Sequence, residues 1–147
     1  HLSIRRQRQM CIRDSGNFAH LTGNTFILLQ ILFLFGLFEN NAYRTILKLI
    51  VASGVATWVI ASPLTIHIGA SGLCFAMLGY MIGGAVFARR WGYLLACIVM
   101  GAGYWLTIKQ GLMPQPGVSF AAHFGGLCAG LLIGANSKHA YKTTKPL

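Results

Sequence analysis

The sequence predicts an all-α protein, a polytopic helical membrane bundle, and its composition and charge pattern carry this prediction. Of its 147 residues, 55% are hydrophobic and only two, Asp14 and Glu39, are acidic. A soluble domain of this size carries far more charge on its surface. The twelve Lys and Arg residues lie in small groups between long apolar runs. This pattern is typical of membrane topology and differs from the continuous basic face of a nucleic-acid-binding protein. We therefore expect a lipid bilayer, and no nucleic acid, as a partner.

Residues 1–15 differ from the rest of the chain in charge and hydrophobicity. They include the run IRRQRQMCIRDS, which resembles translated sequencing-adaptor read-through. We therefore expect residues 1–15 to be a non-native leader, residues 16–136 to form the transmembrane domain, and residues 137–147 to form a basic tail. The alternative is that the leader is a basic cytoplasmic tail or a targeting arm.

Two apolar segments open the predicted domain. The first runs from Phe18 to Phe38. At about 1.5 Å per residue it is long enough to cross a hydrocarbon core of roughly 30 Å. The second runs from about Ala42 to Ile60 and has Arg44 and Lys48 near its start, where their long side chains can reach the membrane interface. Pro63 marks its end.

The third segment runs from Ser71 to about Ala88 and stops at a pair of arginines. At about 1.5 Å per residue it measures roughly 27 Å, slightly less than the core thickness. One of its ends is therefore expected to begin below the membrane surface. The fourth segment, Trp91 to about Ile108, has Trp and Tyr near both ends, as expected at the two interfaces. The fifth runs from Val118 to about Ala135.

Five crossings alternate sides of the membrane, so the charges of the connecting segments can be sorted. One side receives only Lys109, and the other receives all the remaining basic residues of the domain and tail: Arg44, Lys48, Arg89, Arg90, Lys138, Lys142 and Lys145. The positive-inside rule then predicts a cytoplasmic C-terminus, in what we expect to be a bacterial inner membrane.

Four polar residues lie in the outer parts of these segments, on the side opposite the basic groups: His20, Asn24, Ser71 and His123. Placing a polar side chain in a bilayer costs free energy, so each of these residues is expected to have a structural or functional role. A lone transmembrane serine usually bonds to a carbonyl of its own helix or to a neighbouring helix. Ser71, however, begins a helix, where free backbone N–H groups and the positive helix end favour a developing oxyanion.

His123 lies above a stripe of small residues on its own helix, formed by Gly126, Gly130 and Gly134. Such a stripe lets a second backbone approach closely. The third segment has small residues of its own, Gly79, Gly83 and Gly84, and is the expected partner. This packing predicts that His123 lies within hydrogen-bond reach of Ser71, as a base and its nucleophile require. The alternative is a histidine that only satisfies a carbonyl.

The scarcity of acids narrows the chemistry further. No carboxylate is expected near His123, which leaves a Ser71/His123 dyad rather than a Ser/His/Asp triad. A paired-aspartate protease is excluded for the same reason, and a zinc protease because HExxH is absent. The four cysteines show no metal-ligand spacing, so we assign no metal, disulfide or cofactor. His20 and Asn24 share one helix face and could donate hydrogen bonds to the oxyanion; a helix-to-helix hydrogen bond is their alternative role.

These motifs, in order, resemble those of the rhomboid intramembrane serine proteases. They are HLTGN at residues 20–24, GASG at 69–72, and AHFGG at 122–126 with Gly130 beyond it. The resemblance covers residues 16–136 and implies core helices two to six of a six-helix bundle, with the first core helix missing. It implies Ser71 as nucleophile, His123 as base, and His20, Asn24 and the Ser71 amide as the oxyanion hole. Motif support comes from the glycines Gly69, Gly72, Gly126 and Gly130.

The resemblance further implies substrates that are transmembrane helices, cut near a small residue where the helix unwinds. Phe75 stands where some members of the family have a tyrosine packing on the histidine, so the ring can still pack but offers no hydroxyl. His67, which precedes the GASG motif, is assigned no role. Two alternatives remain: a catalytically inactive relative that binds transmembrane helices, and a small channel or transporter. The sequence leaves the oligomeric state open.

Overall fold

The computed structural model describes residues 18–61, 70–114 and 118–137, with side chains described from residue 22 onward. The predicted leader, Gly69, His67 and the tail beyond residue 137 lie outside the described residues. The described part contains five helices and no strand, which confirms the all-α prediction. They are α1 (Phe18–Phe38), α2 (Ala42–Ile60), α3 (Ser71–Val86), α4 (Trp91–Gly111) and α5 (Phe120–Ala135).

The ends of α3 and α4 differ slightly from those predicted. Helix α3 ends at Val86, because Arg89 turns the chain with a positive φ of 54° before α4 begins. Helix α4 continues to Gly111, about one turn beyond the predicted end. The extra residues, Lys-Gln-Gly, contain no proline, and the first proline stands only at position 114.

Helix α5 begins two residues later than predicted because a side chain caps it. The hydroxyl oxygen of Ser119 accepts a hydrogen bond from the backbone N–H of Ala122, 3.1 Å away. Such a cap satisfies one of the N–H groups that the first turn of a helix leaves without an intrahelical partner. Phe120 is therefore the first helical residue, and His123 lies in the first turn.

Helices α3 and α5 form the most extensive contact of the bundle, and glycines allow it. A Cβ added to Gly126, Gly130 or Gly134 would overlap a carbonyl oxygen of α3, and one added to Gly79 or Gly83 would overlap a carbonyl oxygen of α5. The two backbones are thus in direct contact along most of their length. The prediction was wrong for Gly84: it faces the ring of Tyr93 in α4 and takes no part in the α3–α5 contact.

The outer surface of the bundle is apolar. Two helices, Ala42–Ile60 and Trp91–Gly111, are long and apolar enough to cross a membrane, while Thr22–Phe38, α3 and α5 are shorter apolar stretches. Large hydrophobic side chains point outward from α1, α2 and α4; Phe33, Trp58 and Leu106 are 68%, 82% and 69% exposed. A surface of this kind is stable in lipid, where apolar side chains face hydrocarbon.

A polar cluster joins the end of α1 to α3 and α4 by hydrogen bonds and an ion pair, at the end of the bundle opposite Ser71. Oε2 of Glu39 accepts hydrogen bonds from the hydroxyls of Tyr80, at 3.0 Å, and Tyr93, and from Nη1 of Arg90, at 2.8 Å. Nη2 of Arg90 also donates to the carbonyl of Phe38, 2.5 Å away, and the guanidinium lies over the Tyr93 ring. These four side chains, Glu39, Tyr80, Arg90 and Tyr93, are called the Glu39 cluster below.

The charges within the Glu39 cluster stabilise each other. Burial alone would raise the pKa of Glu39, but the hydrogen bonds from Tyr93 and Arg90 and the charge of Arg90 outweigh it and lower that pKa. Burial likewise opposes the charge of Arg90, while Tyr93 and Glu39 favour it and raise the pKa of the guanidinium. Both groups are therefore ionised in the folded protein near neutral pH.

Candidate active site

Ser71 is the first residue of α3, and this position determines what surrounds it. Ala70 precedes it as the N-cap, and the first hydrogen bond of the helix runs from the N–H of Cys74 to the carbonyl of Ala70. The N–H groups of the first turn have no acceptor within their own helix. Gly72 contacts Ala122 of α5, so the starts of α3 and α5 lie side by side.

The hydroxyl oxygen of Ser71 lies 2.9 Å from Nε2 of His123. The two residues are 52 positions apart, and the α3–α5 contact brings them together. Gly126, one turn beyond His123, packs against the carbonyl of Gly72, which holds the two helices at backbone distance just below the pair. A side chain at this level would separate the helices and with them Ser71 and His123.

The second ring nitrogen of His123 has a backbone partner. Nδ1 lies 2.7 Å from the carbonyl oxygen of Gly111, the last residue of α4. A carbonyl can only accept, so this contact requires a proton on Nδ1. When His123 is neutral, Nε2 then carries no proton and accepts from the Ser71 hydroxyl. The carbonyl occupies the place that a carboxylate holds in a three-member site.

Sequence reasoning missed Gly111. A backbone carbonyl is present at every residue, so no residue type marks one that faces a histidine. The available signal was indirect: a glycine three residues before Pro114 favours a helix end, and the last carbonyls of a helix have no donor within it.

An aromatic ring covers one face of His123. Phe75 and His123 are stacked, with ring centroids 4.4 Å apart and planes inclined by 22°. A Cβ on Gly111 would lie 2.6 Å from Cζ of Phe75 and 3.1 Å from Nδ1 of His123. The absence of a side chain at Gly111 therefore leaves the space that both rings occupy, and His123 is 7% exposed.

Of the two candidate oxyanion residues on α1, the structure describes one side chain. Asn24 lines the same cavity as Ser71 and His123. His20 lies in α1 one turn earlier, but its side chain is outside the described part, as is Gly69. The glycine motifs in the described part are found at helix contacts: Gly72 at the start of α3 and Gly126 and Gly130 along α5.

The cavity above Ser71 has a volume of about 380 Å³ and lies between α1, α3 and α4. Its walls are mostly apolar and reach down to Ile31, Leu78 and Met100. Tyr104 of α4 also lines it, and its hydroxyl donates to Oε1 of Gln30 in α1, 2.5 Å away. Ser71 forms part of the cavity wall together with His123.

The described residues show no metal-binding arrangement. Within the described ranges, no three His, Cys, Asp or Glu side chains come close enough to share an ion. Cys74, Cys97 and Cys128 are free thiols. The groups that the described residues bring to this site are the Ser71 hydroxyl, the His123 imidazole, the Gly111 carbonyl and the Asn24 amide.

Comparison of the sequence with known protein families identifies one that matches most of the chain. The model of the Rhomboid domain matches residues 15–138. The chain is 32% identical over 125 residues to an uncharacterised protein of Mycobacterium leprae, covering 79% of this chain and 49% of that relative. It is also 32% identical over 128 residues to uncharacterised proteins of Mycobacterium bovis and Mycobacterium tuberculosis, covering 79% of this chain and 52% of each relative. The chain thus spans about half the length of the curated relatives it matches. No solved structure shows a significant match.

Proposed function

The chain belongs to the Rhomboid family, and from this premise we propose that it is an intramembrane serine endopeptidase that cleaves transmembrane helices of other proteins. The observation that carries the proposal is the alignment of Ser71, His123 and the Gly111 carbonyl, with distances of 2.9 and 2.7 Å. This alignment gives a serine hydroxyl a base in the correct tautomer without any carboxylate.

The first step is attack by Ser71 on a peptide carbonyl of the substrate. As the Ser71 oxygen bonds to the carbonyl carbon, its proton moves to Nε2 of His123. The imidazolium that forms keeps its Nδ1–H bonded to the Gly111 carbonyl, whose dipole favours the positive charge. The stacked Phe75 ring limits rotation of the imidazole, so the base stays aligned during the transfer.

The negative charge that develops on the substrate carbonyl oxygen must be stabilised by hydrogen-bond donors. The Ser71 N–H begins α3, where the helix dipole favours an anion. Asn24, which lines the same cavity, supplies a side-chain donor from α1, and His20, one turn earlier on that helix, is proposed as another.

The remaining steps reverse the proton transfer. His123 gives the proton to the leaving amide nitrogen, the C–N bond breaks, and the substrate carbonyl stays attached to Ser71 as an ester. His123 then takes a proton from a water molecule as the water oxygen attacks the ester carbon. When the bond between that carbon and the Ser71 oxygen breaks, His123 returns the proton to Ser71 and the carboxylic acid leaves. The cavity provides the space for that water at the start of a helix that is only 16 residues long.

The proposed orientation follows the charge distribution. We place the basic residues and the C-terminus in the cytoplasm and Ser71 near the opposite face of a bacterial inner membrane. Substrates would then be cut near their outer ends, at a small residue where the helix unwinds.

The test is labelling of the purified chain with a fluorophosphonate, together with cleavage of a model transmembrane substrate. We expect Ser71→Ala to abolish both signals and His123→Ala to lower them by roughly 10³-fold or more. Ser53→Ala is the matched control, because Ser53 is a buried serine whose hydroxyl bonds to the carbonyl of Ile50 in its own helix. Labelling that survives Ser71→Ala would contradict the mechanism, and substrate binding without cleavage or labelling would favour the inactive helix-binding alternative.

A further inference from the structure

Helix α4 consists of two parts that meet at Tyr104. The backbone angles of Tyr104, φ −127° and ψ 19°, are not helical, so residues 91–103 and 105–111 form separate stretches. Two glycines, Gly101 and Gly103, precede the break, and glycine pairs are a common cause of helix kinks. Helix α4 is therefore kinked at Tyr104, and residues 105–111 do not continue the axis of residues 91–103.

Polar contacts hold residues 105–111 at both ends. At the start, the Tyr104 hydroxyl donates to Gln30 of α1, at 2.5 Å. At the end, the Gly111 carbonyl accepts from Nδ1 of His123, at 2.7 Å. Between these points the outer side chains face away from the bundle; Trp105 and Leu106 are 64% and 69% exposed. Helices α1 and α4 also meet at the opposite end of the bundle, through the Glu39 cluster and the packed rings of Phe38 and Tyr93. At the break, the bond from Tyr104 to Gln30 joins them.

We propose that Tyr104 is a positioning residue for His123: its bond to Gln30 fixes residues 105–111, so that the Gly111 carbonyl holds the proton of His123 on Nδ1. The inference rests on the proposed function, in which Nε2 must accept the Ser71 proton. The chain of contacts is Gln30 to Tyr104, seven residues of helix, and Gly111 to His123. If the Tyr104 bond is lost, residues 105–111 turn about the break and the carbonyl leaves Nδ1.

The same stretch also forms one wall of the cavity. Thr107, Ile108, Gln110 and Gly111 line it together with Tyr104. A substrate segment that enters the cavity therefore touches the stretch that carries the Gly111 carbonyl. Occupation of the cavity and the tautomer of His123 are coupled through residues 105–111.

The experiment compares the nitrogen-15 resonances of His123 in the full chain and in Tyr104→Phe, both in lipid bicelles. The His123 signals are assigned by their loss in His123→Ala. In the unmodified chain we expect Nδ1 to be protonated and Nε2 unprotonated. In Tyr104→Phe we expect a measurable fraction with the proton on Nε2, and fluorophosphonate labelling of Ser71 slower by roughly three- to tenfold, the range expected for one interhelical hydrogen bond.

Three variants complete the design. Gln30→Leu should reproduce the effect of Tyr104→Phe, and the double variant should show no further change. Gln30→Glu keeps an acceptor oxygen at the same reach and should retain the Nδ1 tautomer. Tyr43→Phe is the matched control, since Tyr43 is 75% exposed on α2, and it should change neither signal.

The outcomes distinguish the positioning role of Tyr104 from the proposed protease function. An unchanged His123 tautomer in both Tyr104→Phe and Gln30→Leu overturns the inference, even if labelling slows, because the effect is then only structural. A tautomer that shifts in these variants supports it. If the tautomer shifts but Ser71 is never labelled, the positioning role stands and the proposed function fails.

Discussion

The carbonyl oxygen of Gly111 lies 2.7 Å from Nδ1 of His123, at the point where α4 ends. A helix terminus thus supplies the acceptor that orients the candidate base. The arrangement depends on three helices at once, because α3 contributes Ser71 and Phe75, α5 contributes His123, and α4 contributes the carbonyl. Perturbing any one of these contacts should affect the reactivity of Ser71, whereas the α3–α5 glycines and the Glu39 cluster should affect the stability of the bundle.

Gly111→Ala should slow labelling of Ser71 by roughly tenfold or more, since small displacements at a reacting centre have effects of this size. The added Cβ would lie 2.6 Å from Phe75 and 3.1 Å from Nδ1 of His123, so the rings must move. Gly36→Ala is the control, because a Cβ at Gly36 of α1 meets nothing within 4 Å. Labelling rates of the two variants are compared at equal protein concentration, and equal rates would contradict the role given to Gly111.

Gly130→Ala should destabilise the bundle by about 1–3 kcal/mol, the usual cost of overpacking. Its Cβ would overlap the carbonyl oxygen of Ala76, and two backbones in contact cannot yield as a flexible side chain can. The free energy of unfolding is measured by titration with SDS in mixed micelles. Gly54→Ala, whose Cβ would face open space, should leave it nearly unchanged. Similar stabilities for both variants would mean that the α3–α5 contact adapts easily.

Arg90→Gln should lower the free energy of unfolding by about 2 kcal/mol or more, because removing one partner of a largely buried ion pair leaves the charge of the other without compensation. The side chains of Arg90 and Glu39 are 14% and 10% exposed, and their atoms lie 2.8 Å apart. Arg89→Gln removes the same charge one position earlier, from an exposed side chain, and serves as the matched control. If both substitutions lower the unfolding free energy equally, the effect comes from net charge and not from the Glu39 cluster.

The Glu39 cluster also predicts a dependence of stability on pH. The folded-state pKa of Glu39 is lowered, so its stabilising contribution is full above the unfolded value of about 4.3 and is lost as pH falls through the folded value. The melting temperature of the chain should therefore fall in that acidic window. Glu39→Gln, already neutral, should melt lower near pH 7 and show a flatter profile below pH 5. Parallel profiles for the two proteins would rule out this linkage.

Asn24→Ala should lower substrate cleavage by roughly 10²–10³-fold while Ser71 and His123 remain in contact, as expected when one oxyanion donor is lost. The matched control is Asn41→Ala: Asn41 is exposed before α2 and its side chain makes no capping hydrogen bond. The readout is kcat on the model transmembrane substrate. A change confined to KM would instead assign Asn24 to substrate binding.

The sequence was sufficient to predict the helices. Apolar runs mark where the helices lie, and the ends found for α1 and α2 agree with those predicted, while α3, α4 and α5 differ by two or three residues. These differences arise from a positive φ at Arg89, the absence of proline between Ile108 and position 114, and a cap at Ser119. Hydropathy does not report such local events.

Residue types also predicted which side chains would meet. Serine and histidine are uncommon in apolar helices, and glycines spaced by four residues mark a face that packs closely. This reasoning predicted the contact between Ser71 and His123, which lie 2.9 Å apart. It assigned Gly84 to α5, whereas Gly84 faces Tyr93 of α4. A row of glycines shows that a helix face carries small residues, but it does not show which neighbouring helix packs on that face.

Only the tertiary structure decided what surrounds the dyad. The Gly111 carbonyl, the bond between Tyr104 and Gln30, and the Glu39 cluster each join different helices, and their hydrogen bonds link residues 12 to 74 positions apart in the chain. The sequence by itself determined the membrane class, the helices and the chemical groups available. The structure determined the acceptor for Nδ1, because every residue carries a carbonyl and only the packing of three helices selects the one that faces His123.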